Sequence, residues 1–455
     1  MKNNATITEY LDNDYRDYAT YVIESRAIPS VIDGLKPTQR KVVYIADKVW
    51  RTGKEKAYKV FQLTGRIAAD AHYHHGDASL NSAIIGMAQK FKNSMPLLQE
   101  IGQFGSLRSP EAGAPRYVST KLHENFRLLY KDFELLSPRH EEGSQIEPEY
   151  FLPIIPTVLL NGSSGIAVGF ATNILNRNPL DLIECCLKEL DDKRFKEPAP
   201  WVYGFNGEVV PNPDSDAKSA WVYRGKYNVK NTTTIDISEL PPSVTYEKFD
   251  KYLNDLEDDK RISTYDNNCK SDINYTIKLS RTDMAALSSG DRMKKFLKME
   301  ERQTENFTVL DETGKLMIFT TATEIIKYFV EFRMKYYIKR KKFMIDKLNR
   351  ELMFLSNKAR FIKMIIDGTL KINNVARQII IDNLVKAKFD EVDGSYSYLL
   401  SMAIHTLTKE KYQELLSQEA EKNKELIELK KVKPIDMYVG DLNDLKKVLK
   451  KEYNK

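Results

Sequence analysis

Residues 56–91, KAYKVFQLTGRIAADAHYHHGDASLNSAIIGMAQKF, read as two short helices about a tight turn. The helical patterns are KAYKVFQLTGRIAADAH and SLNSAIIGMAQKF, and HHGD lies between them. Two short helices about a glycine-containing turn have the form of a helix-turn-helix. Asp77 is placed to cap the second helix, whose N-terminus then suits a phosphate or a DNA groove. Most short helix pairs bind nothing, so the surroundings decide. Upstream, IPSVIDGLKPTQRKVVYIADKVW (28–50) has a turn at Asp33-Gly34 and predicts a third helix starting just after Pro37.

Downstream lies GQFGSLRSPEAGAPRYVST (102–120), where Gly102, Gly105, Gly113, Pro110 and Pro115 spell a bent, loop-like path to Arg116 and Tyr117. A free phenol titrates near pH 10 and is a poor neutral-pH nucleophile unless a cation or base sits against it. Arg116 supplies the cation. It cannot act as a base, but its fork matches a phosphate and can hold one beside the tyrosine while charge builds in the transition state. The commoner role of an isolated Arg-Tyr pair is packing of the ring on a neighbouring helix.

The 455 residues are enough for roughly three domains of ~150 residues each. An apolar content of 42% supports a sizeable core, and a net charge of +6 is too mild to predict nucleic-acid binding by itself. Positive charge is clustered locally at Arg40-Lys41 and from Lys339 to Lys342. The adjacent Cys185-Cys186 and the isolated Cys269 give neither a disulfide framework nor a metal spacing, which fits a reducing cytoplasm. The polar N-terminus is no signal peptide, and no apolar run approaches a membrane span, so a soluble intracellular protein is expected.

The expected organisation is mixed α/β. Residues 1–125 form the helical region, and 126–320 are β-rich with runs WVYGFNG, SAWVYRGKYNV, TTTIDISEL, INYTIKL and NFTVLDETGKLMIF, the last a hairpin around Glu312-Thr313-Gly314. Residues 321–455 turn helical: Thr321 and Glu324 make a capping box. Ile345, Leu348, Leu352, Leu355, Ala359 and Ile362 then take a and d positions of a heptad. KEKYQELLSQEAEKNKELIELKK (409–431) is the antiparallel partner, with Tyr412, Leu415, Leu426 and Leu429 in the same spacing before Pro434 ends it. Shorter helices over about 366–405 cap the far end and offer a dimer contact.

Three of the six histidines, His72, His74 and His75, adjoin the turn. They lack the second cluster that a zinc site needs and make better sense as phosphate-facing donors or proton shuttles. NGSSGIAVGFATNILNRNP (161–179) is small and glycine-rich yet carries Ile166 and Val168. Such a stretch allows close backbone approach, and one aliphatic can wedge between bases, although a tight turn packed on a neighbouring domain has the same composition. Neither GxxxxGK[ST] nor GxGxxG occurs, and the acidic pairs Asp12/Asp14 and Asp214/Asp216 read as solvated turns. Any phosphoryl transfer would therefore draw its metal and its ATP chemistry from another polypeptide.

RAIPSVIDGLKPTQRKVVY, YHHGDASLNSAI, GQFGSL followed by APRY, EPEYFLPIIPTVLLNGSSGIAVGFATNI, ISELPPS and YLLSMAIHTLTKEKYQELL together resemble the DNA breakage-reunion region of type IIA topoisomerases, in order and spacing, over essentially the whole chain. HHGD and the proline of APRY are nearer the eukaryotic enzymes than gyrase A. The length resembles a stand-alone breakage subunit of the bacteriophage members, without the DNA-wrapping domain of gyrase A or the fused ATPase and metal-binding domains of eukaryotes. The resemblance implies a winged-helix domain, an α/β tower and a long coiled-coil arm with a dimerisation cap. It makes Tyr117 the nucleophile joined to a 5′ phosphate, with Arg116 beside that phosphate and Arg26, Lys36, His74 and His75 contacting it or the adjacent backbone. Arg40 and Lys41 match basic residues touching DNA backbone, and Ile166 matches the aliphatic that intercalates. The helix from Asp77 to Ala88, with Ser79 and Ser82, matches the one laid in the major groove. Ala78 and Ser82 stand where gyrase has a serine and an acidic residue used by quinolones, so gyrase-like sensitivity is not expected. The resemblance further implies a homodimer acting on double-stranded DNA, with magnesium and ATP held by partner subunits. A non-catalytic winged-helix DNA-binding dimer, or a tyrosine recombinase with a 3′ link, would share some of these features.

Overall fold

The structure, a computed structural model, describes residues 7–453 apart from 142, 218 and 271. It forms two compact units. One holds the chain up to Arg333 and again from Asp441, and the other holds Met334–Gly440.

In the first unit, helix α1 (Pro37–Val49) starts at a proline, whose missing N–H costs nothing at the first helical position. The preceding turn needs Gly34, with φ +68°, because a Cβ there would lie 2.5 Å from the Val158 amide nitrogen. Helix α2 (Val60–Asp70) and helix α3 (Asp77–Ala88) follow as the sequence predicts. Val42, Val43 and Ala46 of α1 are buried, as are Leu63 and Ile67 of α2 and Leu80 and Ile84 of α3. These i, i+3, i+4 spacings give each helix an apolar stripe. Asp77 does not cap α3: it is the first helical residue, Gly76 holds the cap position, and the Asp77 carboxylate accepts from the Ala78 N–H. Strand β1 (Tyr58–Lys59) pairs antiparallel with β2 (Ser119–Thr120), beside α2.

The hairpin of β3 (Ser163–Ile166) and β4 (Ala171–Ile174) leads to Arg177, whose side chain is fully buried with that of Glu305. Arg177 donates twice to Glu305 and also to the carbonyls of Leu175 and Pro198, while Glu305 accepts from Leu175 N–H and Trp221 Nε1. WVYGFNG is irregular rather than the expected strand: Gly204 takes φ +80°, and a Cβ at Gly207 would lie 2.2 Å from the Arg224 carbonyl oxygen. Strand β5 (Glu208–Pro211) starts after it and pairs with β6 (Ala220–Arg224). A four-stranded antiparallel sheet runs in the order β7 (Lys226–Val229), β8 (Thr234–Glu239), β10 (Tyr275–Lys278), β9 (Thr264–Asn267). Alternate residues Ile235 and Ile237 of β8 pack on Phe249, Leu253 and Leu256 of helix α4 (Tyr246–Asp258). The expected hairpin about Glu312–Gly314 joins Phe307–Leu310 to Leu316–Phe319, its turn held by Asp311 accepting from Thr313 N–H and Lys315 N–H.

Helix α5 (Ala322–Ile366) is continuous and belongs to the second unit from Met334; within that unit it lies antiparallel to helix α6 (Lys409–Lys431): Lys341 Nζ donates to the Lys430 carbonyl at 2.9 Å and Glu351 faces Lys422 at 3.5 Å. Ala359, Ile362 and Leu415 are buried together, with Leu355 and Tyr412 half-buried beside them. Residues between the two helices, from Leu370 to Leu399, form a separate core with Phe361 of α5. At the start of α5, Thr321 accepts from Glu324 N–H, but the Glu324 carboxylate takes the Thr320 N–H, one residue earlier than a capping box requires. Pro434 ends α6 and also starts a helix absent from the sequence reading, α7 (Pro434–Tyr453). From Asp441 that helix belongs to the first unit, where Tyr453 donates to the Ser94 carbonyl. Among the described residues no helix is long and apolar enough to cross a membrane.

Replacing Arg177 with Ala strands Glu305 as a buried, unpaired charge. The expected loss is about 3–5 kcal/mol, read as a lower denaturant midpoint for the first unit; a midpoint within error of the parent protein's would contradict the pairing.

Candidate functional site

Tyr117 is 67% exposed. Its neighbour Val118 points into the core and Thr120 is fully buried, so the period-two alternation entering β2 turns Tyr117 outward. The Tyr117 N–H bonds the Ala114 carbonyl, and Lys59 Nζ donates to the Tyr117 carbonyl at 2.7 Å, tying the loop to β1. The Arg116 guanidinium carbon lies 5.0 Å from the Tyr117 ring centroid. The loop is closed by Gly113 N–H on the Gln103 carbonyl and by Gln89 Nε2 on the Phe104 and Pro110 carbonyls. A phosphate arriving at the phenol would thus meet an exposed cation on a backbone that is already folded.

His74 and His75 are exposed at the head of α3, and His75 Nε2 shares a 2.9 Å hydrogen bond with Tyr21 Oη. With Arg40 and Lys41 they border a cleft of ≈ 650 Å³. Ser79 is exposed on the same helix, and the Ser82 hydroxyl donates back to the Ala78 carbonyl. Arg40 and Lys41, which the resemblance sets against DNA backbone, are each held by a buried carboxylate. Arg40 is 6% exposed and bonds both Asp33 oxygens and the Leu35 carbonyl. Lys41 donates to Glu147 and the Ala71 carbonyl, with its side chain 15% exposed. Bringing either to a phosphate would leave a buried carboxylate unpaired.

Lys36 and Ile166 meet through the β3–β4 hairpin. Lys36 Nζ donates to the Ser164 carbonyl at 2.7 Å, and burial lowers its pKa from the ordinary lysine value. A Cβ at Gly165 would lie 2.2 Å from the Ala27 carbonyl oxygen and 3.1 Å from Lys36 Nζ, so this strand presses against the turn that carries the exposed Arg26. Beyond the contact Ile166 stands 86% exposed. Arg26, Lys36 and Ile166 are therefore grouped. Tyr117 and Arg116 do not border the cleft of His74 and His75.

The family model describing the A subunits of DNA gyrase and topoisomerase IV matches residues 26–444. The chain belongs to this DNA topoisomerase family. It is 33% identical to the DNA topoisomerase medium subunit of Enterobacteria phage T4 over 98% of this chain and 99% of that protein. Arabidopsis thaliana DNA topoisomerase 2 is 32% identical over 94% of this chain, which spans only 32% of the plant protein. The crystal structure of the Plasmodium falciparum topoisomerase II DNA-binding, cleavage and re-ligation domain is similar at a TM-score of 0.83 and 32% identity, covering 97% of this chain and 64% of that one. The resemblance drawn from the motifs, including its bacteriophage flavour, is borne out, and the mixed α/β fold is that of the topoisomerase II cleavage region.

In this topoisomerase chain, sequence reasoning missed Lys59, Tyr21 and Arg108 around the candidate residues. Lys59 precedes a helix without marking itself as a loop clamp, and Tyr21 reaches His75 across 54 positions. Only the spacing of Lys59 before α2 carried any signal.

Gly165→Ala tests the grouping of Arg26, Lys36 and Ile166. Its methyl meets backbone rather than a flexible side chain, so a destabilisation of about 1–3 kcal/mol is expected in chemical denaturation. A neutral substitution would mean that the hairpin does not press on Ala27.

Proposed function

We propose that this chain is the DNA-cleavage and rejoining subunit of an ATP-dependent type II topoisomerase. The observation that carries the reading is Tyr117, exposed beside Arg116 on a braced loop. In cleavage the Tyr117 oxygen attacks a backbone phosphorus in line, the bond from phosphorus to the 3′ oxygen breaks, and the 5′ phosphate remains on the tyrosine. The phenol gives up its proton to water as it attacks and the departing 3′ oxygen takes one up, so the exchange is proton-neutral. Rejoining reverses the exchange, the phosphodiester energy having been kept in the phosphotyrosine. Arg116 holds the non-bridging oxygens as charge builds on them.

The remaining residues act on DNA backbone and shape. His74, His75 and Arg26 are exposed and face phosphate, while Lys36 fixes the hairpin through Ser164. Ile166 wedges between base pairs and bends the duplex, which needs an aliphatic tip standing free of its own protein. Helix α3 lies in the major groove with Asp77, Ser79 and Ser82 along it. In this reading α1 to α3 with β1 and β2 are a winged-helix domain, the four-stranded sheet region is the tower, and α5 with α6 is a coiled-coil arm. The cap of that arm is a homodimer contact, a role supported by Ile379, Val385 and Ile404 being 53%, 56% and 84% exposed.

Among the described residues no group of three His, Cys, Asp or Glu side chains could hold a metal ion, so no step here is routed through one. Magnesium and ATP are assigned to partner subunits of a hetero-oligomer acting in the cytoplasm, and each Tyr117 of the dimer cuts one strand.

Incubation with plasmid, magnesium and partner subunits, followed by denaturation, tests the chemistry. Protein covalently attached to 5′ ends is expected, with none formed by Tyr117→Phe. Arg116→Gln should lower cleavage by about 10²–10³-fold, the usual cost of losing one transition-state donor. Attachment at 3′ ends, or unchanged attachment in Tyr117→Phe, would sink the proposal. A second assay concerns the wedge: Ile166→Ala should leave the melting temperature nearly unchanged, because the side chain is 86% exposed, while reducing DNA bending measured by fluorescence energy transfer. Undiminished bending would remove Ile166 from that role.

A further inference from the structure

The loop that ends at Tyr117 carries a second arginine, Arg108, that neither the motifs nor the proposed chemistry uses. It is 7% exposed, and its two terminal nitrogens are held by the turn that joins β8 to α4. Nη1 donates to the carbonyls of Pro241 at 2.6 Å and Val244 at 2.9 Å. Nη2 donates to Glu239 Oε1 at 2.6 Å and to the Leu240 carbonyl. The backbone carbonyl of Arg108 in turn accepts the N–H of Tyr246, the first residue of α4, satisfying one of that helix's orphan donors. Glu239 is itself 4% exposed and accepts from Asn206 N–H with its other oxygen.

The tip presenting Arg108 is stiff. Ser106 and Ser109 exchange both backbone hydrogen bonds, and Gly105, at φ +83°, lets Pro110 approach so closely that a Cβ would lie 2.7 Å from its carbonyl carbon. Gln89, at the end of α3, clamps Phe104 and Pro110 from the opposite side. The segment between Pro110 and Tyr117 has no regular secondary structure beyond turns. Beyond that tip the path to the phenol is held again by Gly113 N–H on the Gln103 carbonyl and by Phe61 N–H on the Pro115 carbonyl, so the guanidinium seated in the β8–α4 turn fixes the base of the loop.

We infer that Arg108 is a positioning residue for Tyr117: seated in the 239–244 turn, it locks the base of the cleavage loop to the four-stranded sheet region, so the path to the phenol starts from a fixed point. Withdrawing Arg108 would leave the buried Glu239 carboxylate without its counter-charge and three carbonyls without this donor, so moving the loop away from the turn is costly. A lysine keeps the charge but cannot reach four acceptors from a planar fork.

The inference rests on Tyr117 being the nucleophile, and the experiment separates the two. The holoenzyme is assembled with Arg108→Leu, Arg108→Lys, Glu239→Gln or Tyr117→Phe, and single-turnover DNA cleavage, DNA affinity and melting temperature are measured for each. Arg108→Leu should cut more slowly by about tenfold to a hundredfold, the scale expected for a misplaced reacting group, with DNA affinity unchanged within about twofold. Arg108→Lys should recover part of the rate. Glu239→Gln, which keeps shape and one acceptor, should fall between Arg108→Leu and the parent, and it serves as the reading if Arg108→Leu does not fold. A 3-fluorotyrosine at 117 should give a shifted or broadened ¹⁹F resonance in the slow variants. Parent-like cleavage in Arg108→Leu or Glu239→Gln, or cleavage, affinity and melting falling in parallel with an unmoved resonance, overturns the positioning role. Covalent attachment persisting in Tyr117→Phe would overturn the reading of Tyr117 instead.

Discussion

The buried pair of Asp33 and Arg40 is the constraint on which the first unit turns. Asp33 is fully buried and accepts from Arg40 twice, from Leu35 N–H and from Phe151 N–H, while its own carbonyl takes the Tyr130 hydroxyl. Burial works against the Arg40 charge, yet Asp33 more than offsets this and leaves the arginine pKa above its ordinary value. Such a pair is weak support for stability compared with an apolar replacement, but losing one member is costly, so it fixes geometry. The geometry fixed here is the turn before α1, with Gly34 against Val158 and Lys36 reaching the β3–β4 hairpin. The helix that precedes the helix pair and the hairpin that carries Ile166 are thus set by one knot.

The same device recurs behind two of the exposed candidate residues. Ile166 stands at the end of a hairpin whose base is tied by Arg177 and Glu305, and Tyr117 follows a tip tied by Arg108 and Glu239. Each pair is buried, each arginine also collects backbone carbonyls, and each lies in irregular chain between small antiparallel sheets. Short strands leave many backbone groups without ladder partners, and a buried guanidinium with five fixed donors can satisfy several at once. Rigidity comes from these ionic knots, which lets the tips stay free for a ligand.

Much of this was legible in the sequence because its signals are local. The spacing of apolar residues in 56–91 gave α2 and α3, Pro37 gave the start of α1, and Glu312-Thr313-Gly314 gave the hairpin turn. What failed was long-range. Arg40 looks like a surface cation beside Lys41, and only the fold reveals that Asp33 curls back to meet it. The partners of Arg108 lie 131 to 136 positions away, beyond any periodicity. WVYGFNG has the aromatic alternation of a strand, and its glycines were the contrary signal, since Gly207 is needed for close approach to Arg224. The return of α7 to the first unit depends on packing by Leu442, Leu445 and Leu449, which a helical pattern cannot assign to a partner.

Exposure of Tyr117 sets a limit on what the chain can do alone. A unit charge about 4 Å from a developing oxyanion is worth about 1 kcal/mol in bulk water and about 4 kcal/mol at an effective dielectric of about 20. Arg116 beside a phenol that is 67% exposed is at the weaker end of that range. The stronger end requires that water be displaced from the loop, as a duplex seated on it would do. The loop is therefore prefolded in backbone and incomplete in environment: its geometry is fixed by Lys59, Gln89 and Arg108, whereas its electrostatics wait for the substrate. Under the role proposed for Tyr117, this division would keep the phenol unreactive toward other phosphates until a duplex is seated on the loop.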